Sequence, residues 1–553
     1  MTTKKLDDYT REELLDEVKR LKNRKTFGLV WENKEEQVAE DCKVKLPVLS
    51  EITERNISGD SDSPTHLIIE GDNYHSLSAL SYTHIGKVDV IYIDPPYNTG
   101  HKDFIYNDSY VDREDSFRHS KWLSFMAKRL RLAKPLLNPE TGLIFVSIGE
   151  DEFAELKMLM DLIFTEDSYV GDAIWQSRKS VSNDTIMSLN HNHTLIYATN
   201  KDKILELSKQ GKMFRKKMDP NKFSNPDNDP RGPWTADPFD APEIRENLQY
   251  EIKNPNTGMV YIPPPGRHWR TTKEELEKYL KDKRIVFGKT GKSKPQLKRF
   301  LNEVESKGTS LTSIWDDVGT TTNGSNELKA IFGDIPFKNP KPTTLIQRVM
   351  EAGLLTNSGT VLDFFAGSGT TGHAVLKQNE LDQGTRSFIM CTNNENDIVS
   401  EITYPRIKKV TEGYGQTAAI PANVRYFKTD FVDKQRSNDG TRAALVARCA
   451  DMIRIRENCF DQIVDEKSHK FYANADKFVA VIFDPLNLAS IWKELEAANT
   501  SSLPVGLYVF SYSQYAYEDE IPETHLKYKS IPIPESILEV YQRIFRKQEN
   551  GNV

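Results

Sequence analysis

From about residue 66 the apolar residues fall in short continuous runs. HLIIEGDN (66–73), VDVIYIDPPY (88–97), GLIFVSIGE (142–150), DAIWQS (172–177) and HTLIYATN (193–200) each read as a strand. Runs without polar alternation suit a parallel sheet covered on both faces. Between them, SLSAL opens a helix and SKWLSFMAKRLRLAKPLL (120–137) has helical spacing. The same texture returns in PFKNPKPTTLIQRVMEAGLL (336–355), GTVLDFFAGSGTTG (359–372) and RSFIMC (386–391). This alternation predicts an α/β fold.

Two flanks and one interruption differ. Residues 10–26 predict a helix, with Thr10 and Glu13 as a capping box and Leu14, Leu15, Val18 and Leu21 as a stripe. The stripe packs either on its own domain or on a second chain. Between 201 and 330, SNPDNDPRGPWTADPFDAPE and YIPPPGRHWR are rich in Pro, Asn, Asp and Gly, with Trp and Arg interleaved, and predict loops. After about 425 comes a mixed region with strands of its own, KFVAVIFDP and VGLYVFSYSQ.

TVLDFF runs into AGSGTTG and then HAVLKQ, so Gly367, Gly369 and Gly372 form G-x-G-x-x-G between a strand and a helix. Glycines let a ligand approach the backbone, and the helix start favours negative charge. A dinucleotide would want an acid at the end of the next strand, where CTNNEN puts Thr392 instead. Asp363 and Phe365 stand just before the glycines. An acid and an aromatic there suit a cationic, adenosine-bearing ligand such as S-adenosylmethionine. GKTGKSKP (288–295) resembles a phosphate-binding loop only superficially, because Val286 stands where that loop needs glycine.

The stretch VIYIDPPYNTG (90–100) ends a buried strand with an acid, two prolines and a tyrosine. An exocyclic amine on a nucleobase is a poor nucleophile, because its lone pair is delocalised into the ring. Two acceptors around the amine restore its nucleophilicity: the Asp94 carboxylate and the Pro95 carbonyl. Pro96 stiffens the turn and Tyr97 offers a face for an extruded base.

Charge narrows the partners. The chain of 553 residues carries −7, yet residues 201–300 hold 23 Lys and Arg against 14 Asp and Glu, a local +9. That basic island reads either as a phosphate-contacting face or as solvated surface. Four scattered cysteines, Cys42, Cys391, Cys449 and Cys459, give no zinc spacing and suggest a reducing, cytoplasmic setting with no metal. No run of 18 apolar residues predicts a membrane span.

DPPY together with DFFAGSGTT resembles the DNA amino-methyltransferases. The order, with the catalytic motif before the cofactor motif and the basic insert between, resembles their beta class. GKVDVIYIDPPYNTG, HSKWLSFMAKRL, NDPRGPWTADP, PPPGRHWR and FKNPKPTTLI resemble the modification subunits of type III restriction systems, over roughly residues 60–425. The resemblance implies a Rossmann-like sheet of seven strands, one antiparallel, with an inserted target-recognition domain and an α+β C-terminal domain. The expected layout is 1–60 N-terminal segment, 61–200 and 331–425 methyltransferase, 201–330 recognition and 426–553 C-terminal.

It further implies S-adenosylmethionine as cofactor and the N6 amine of a flipped adenine in double-stranded DNA as target. Asp94, Pro95, Pro96 and Tyr97 would be catalytic. The cofactor would meet Asp72, Asn73, Lys341 (at its carboxylate), Asp363, Phe364, Phe365, Ala366, Gly367, Ser368, Gly369 and Thr370, with Asn394 or Glu395 at the ribose. Arg231, Trp234, Arg267, His268, Trp269 and Arg270 would contact DNA. A homodimer and a separate helicase–nuclease subunit are the implied partners. A solitary methyltransferase, a cytosine-N4 or RNA enzyme of the same fold, and a nicotinamide-dependent oxidoreductase remain alternatives.

Overall fold

The computed structural model describes residues 10, 11, 29, 31–59, 63–100, 103–107, 109–288, 291–305, 307–435 and 437–549. The expected helix at 10–26 lies outside the described residues. Two compact units emerge, residues 205–311 and the rest of the chain.

The larger unit is built on one sheet of ten strands: β1 (Lys45–Glu51), β2 (Thr65–Glu70), β3 (Val90–Ile93), β4 (Leu143–Ile148), β5 (Tyr169–Trp175), β6 (Asn192–Ala198), β7 (Ile314–Trp315), β8 (Ser358–Asp363), β9 (Thr385–Thr392) and β10 (Asn423–Asp433). Their spatial order is β1-β10-β2-β9-β8-β3-β4-β6-β5-β7, and only β1 and β6 run against the others. The expectation of seven strands with one reversed therefore undercounts. β1, at the edge of the sheet, and β10, next to it, are partly exposed, so they lack the continuous apolar run that marks β3 and β4. β7 is only two residues long.

The domain limits shift for the same reason. The boundary at 60 falls after β1, and the boundary at 425 cuts β10, which pairs with both β1 and β2. Residues 312–330, expected in the insert, supply β7 and most of the helix Thr321–Phe332 to the larger unit. Beyond β10, five further strands between Asp461 and Ile533 form a second sheet, antiparallel then parallel, packed around Phe471, Phe478, Trp492 and Leu507.

β3 and β8 lie side by side and parallel, with Leu362 opposite Ile91, although some 270 residues separate them in sequence. From β8 the chain returns through the helix Thr370–Asp382 to β9 on one side. From β3 it returns through the helix Arg118–Ala133 to β4 on the other. The loops leaving the two strand ends thus diverge and leave a crevice, the usual ligand position in such sheets.

The unit 205–311 has its own small core of Phe239, Ile252, Trp269, Leu276, Ile285 and Phe287, under short antiparallel pairs such as Trp234–Pro238 with Gln296–Phe300. No described helix is long and apolar enough to cross a membrane. All four cysteines are free and buried, and burial pushes the Cys42, Cys449 and Cys459 thiols up to about 12.

Candidate active site

Asp94 and the Asp363–Thr370 loop leave adjacent strand ends. One Asp94 oxygen, Oδ2, pairs with Lys341 Nζ at 2.5 Å, while Oδ1 is buried without a hydrogen-bond partner. Tyr97 stands over this pair, its ring 5.2 Å from Lys341 Nζ and its hydroxyl 3.1 Å from Asn192 Nδ2. Burial, reinforced by the Asp94 carboxylate, holds the Tyr97 phenol well above its ordinary pKa, so it stays neutral. The same ring packs on Gly149, where a Cβ would come within 2.9 Å. Trp122, fully buried, donates its indole N–H to the Pro96 carbonyl at 2.7 Å. That contact fixes the turn that follows Asp94.

Lys341, expected at a carboxylate of the cofactor, pairs with Asp94 in this structure. An almost buried ammonium needs an anion, and the nearest is the Asp94 carboxylate.

The glycine loop has the backbone its sequence demands. Gly367 and Gly369 sit at φ +48° and +76°, where a side chain is strained, and Gly369 precedes the first turn of the helix Thr370–Asp382. Gly372 packs the helix on β9, since a Cβ would lie 2.7 Å from Met390. Phe364 and Ala366 are buried, and Phe365 is half-exposed. Asp363 serves the loop itself, accepting from the Phe365 amide at 3.0 Å and from Thr371 Oγ1 at 2.5 Å; burial pushes its carboxyl up to about 7. Both of its oxygens thus hold the loop.

Asp72 caps the helix Asn73–Thr83 through the Tyr74 amide, and Asn73 donates to the Phe364 carbonyl at 3.0 Å. The ribose candidates part company. Asn394 Oδ1 accepts from the amides of Val399 and Ser400 at 2.9 and 3.0 Å, so this side chain is used as a local cap, whereas Glu395 is exposed.

Four supports escaped the sequence reading. Arg129, fully buried, reaches Asn73 Oδ1, Glu36 Oε1 at 2.7 Å and Asp72 at 3.4 Å, tying β2's end to the helix Arg118–Ala133. Its signal was available, because it interrupts the apolar stripe Trp122, Met126, Leu130, Ala133. Arg406, also buried, donates to the Ser368 carbonyl at 3.2 Å and Thr370 Oγ1 at 2.9 Å, and Thr403 Oγ1 donates to the Gly367 carbonyl at 2.6 Å. Glu152, buried beside the DPPY turn, accepts from Asn98 and bonds His119 Nδ1 at 2.7 Å; burial pushes its carboxyl up to about 8.

This geometry coincides with a family match. The DNA methylase family profile covers residues 88–401, more than half of the chain and both strand ends. The chain belongs to the DNA methylase family. Among curated relatives, the methylase is 35% identical over 387 residues to the type III restriction-modification enzyme StyLTI Mod subunit of Salmonella typhimurium, covering 65% of this chain and 57% of that one. It is 29% identical to the EcoP15I Mod subunit of Escherichia coli (62% and 60%) and 30% identical to the type II methyltransferase M.KpnI of Klebsiella pneumoniae (62% and 84%). The chain thus spans less than two thirds of these two Mod subunits. Among solved structures, the M1.HpyAVI–SAM complex is 13% identical, with a TM-score of 0.29 over 62% of this chain and 97% of that one.

The six insert residues expected at DNA are mostly committed inside their own unit. Trp269 is core, its indole N–H on the Tyr250 carbonyl at 2.7 Å, and His268 is buried against the Glu243 carbonyl. Arg231 is held by Asp229 and Asp282 and lies over Phe300, and Arg267 pairs with Asp240. Trp234 is half-buried, bonding Asp227. Arg270 alone of the six is exposed. A unit with few long strands recruits aromatic and ion-pair contacts to hold itself together.

Proposed function

We propose that this methylase transfers a methyl group from S-adenosylmethionine to the N6 amine of an adenine flipped out of double-stranded DNA. One observation carries the reading: Asp94 Oδ1, buried and unpartnered, stands at a strand end beside the glycine loop. The loop's left-handed glycines and helix start, with half-exposed Phe365 alongside, fit an adenosine-bearing cation. S-adenosylmethionine supplies an electrophilic methyl group.

The chain's residues prepare the amine. Asp94 Oδ1 and the Pro95 carbonyl accept its two N–H bonds, which turns the nitrogen lone pair toward the methyl group. Tyr97, held by Asn192 and Gly149, stacks the base. Lys341 keeps Asp94 oriented, and the amine's surplus proton leaves through the carboxylate after transfer.

The seven consecutive strands from β2 to β5, of which only β6 is reversed, support reading this part of the sheet as the methyltransferase core, with β1, β10 and β7 as additions. The unit 205–311 is the reader of the target site. Its exposed cations, among them Lys212, Lys217, Lys222, Arg245, Lys253 and Arg270, suit phosphate and base-edge contact. The likeness to Mod subunits supports a modification subunit in a type III-like system, acting as a homodimer in the cytoplasm with a separate helicase–nuclease subunit. Duplex DNA incubated with the chain and labelled S-adenosylmethionine, then digested to nucleosides, should yield N6-methyladenine by mass spectrometry. N4-methylcytosine would replace the adenine reading, and no methylated nucleoside would end both.

A further inference from the structure

Behind Tyr97, three donors converge outside the methyl-transfer site. Alternate residues of an extended strand share a face, so Asn192 turns to Tyr97 while His191 and His193 lie together, ring centroids 5.1 Å apart. His191 Nε2 is 3.3 Å from Glu150 Oε1, and His193 Nε2 is 3.5 Å from the same oxygen. These separations exceed the best hydrogen-bond lengths. They match the edge, about 3.3–3.5 Å, of a tetrahedron of nitrogen and oxygen ligands placed about 2.0–2.2 Å from zinc.

A second observation stands behind the first. His193 Nδ1 lies 2.7 Å from Asp172 Oδ2, and its ring stacks on Phe153 at 3.9 Å. A carboxylate on one imidazole nitrogen fixes the tautomer that presents the other as a lone pair. Glu150 and His191 are partly exposed, which opens a path for an ion. The neighbouring cluster of His119, Glu152 and Glu155 differs, because its histidine and buried carboxylate already form a hydrogen bond of 2.7 Å.

We propose that Glu150, His191 and His193 bind one divalent transition-metal ion of the zinc class, with Asp172 orienting His193 and a fourth position open to water. The inference goes beyond the methyl-transfer reading and does not rest on it. Glu150 follows Gly149, and Asn192 lies between the histidines, so the ion would clamp both segments that touch Tyr97.

The test uses the full chain stripped with a chelator and titrated with Zn²⁺ against a chromophoric chelator, with Co²⁺ as a spectroscopic probe. The expected result is one ion per chain, an intense four-coordinate Co²⁺ band, and affinity that falls as acid protonates the histidines. Glu150→Gln and His191→Ala, both at partly exposed side chains, should each weaken binding at least about tenfold, and Asp172→Asn about 10–100-fold. His119→Ala should bind normally. The absence of stoichiometric uptake, or uptake indifferent to Glu150→Gln and His191→Ala, overturns the proposal, as does a loss confined to His119→Ala.

Discussion

The two strand ends at Asp94 and Asp363 and the unit 205–311 draw on the same residue types, yet use them differently. In the crevice, the backbone is fixed by buried strands on both sides, so a side-chain atom such as Asp94 Oδ1 is left without a structural partner. In the insert, strands of two to five residues cannot hold themselves, and Trp269, Arg231 and Arg267 are used as internal fastenings. A motif on a rigid strand end can be read as chemistry. Aromatic and basic residues in a loop-rich unit must first be charged to its own cohesion.

The broadest way to break this comparison is to exchange residues 205–311 for the matching segment of a relative with another site. Modified-base sequencing should show the methylated motif changing completely while the reaction persists; an unmoved motif would place recognition elsewhere. Within the crevice, Asp94→Ala should lower methyl transfer by about 100-fold or more, with S-adenosylmethionine binding retained by calorimetry. A near wild-type rate would remove Asp94 from the chemistry.

Inside the insert the contrast sharpens between neighbours. Trp269→Ala should cost about 3–5 kcal/mol in the unfolding of its unit, followed by intrinsic fluorescence in urea. Arg270→Ala should leave that stability intact and reduce the salt slope of DNA binding by about one. If both variants bind DNA alike and unfold alike, the division of labour fails. A smaller effect separates cap from ligand: Asn394→Ala should lose about 1 kcal/mol of stability with unchanged cofactor affinity.

The smallest effect is in pH. Burial raises the Glu152 carboxyl to about 8, so between the ordinary carboxylate range and pH 8 the folded chain holds a proton that the unfolded chain has released. Stability from this site is therefore present at acid pH and lost as pH rises through that window. Glu152→Gln should raise the melting temperature at pH 8 more than at pH 5. An equal shift at both would deny the titration.

The central strands, the helix after Gly369 and the DPPY turn were legible because each is specified within about ten residues. What lay hidden depends on partners far away in sequence. Lys341 reaches Asp94 across 247 positions, and Arg129 joins Asn73 across 56. Arg406 supports Ser368 from a helix whose own pattern reads as ordinary surface amphipathicity. β10 was divided between two domains because a partly exposed strand alternates and so resembles the mixed region that follows it.

The pairing of β3 with β8 also bears on how the chain is made. A ribosome releases VIYI (90–93) long before SGTVLD (358–363) exists, and the whole unit 205–311 emerges in the interval. Until then one side of β3 is an open, apolar edge, the kind of surface that invites pairing with another chain. Contacts this distant in sequence close slowly. Synthesis should therefore pass through a vulnerable stage in which the growing polypeptide depends on chaperones, and fragments ending before residue 358 should accumulate as aggregates and not as soluble half-enzymes.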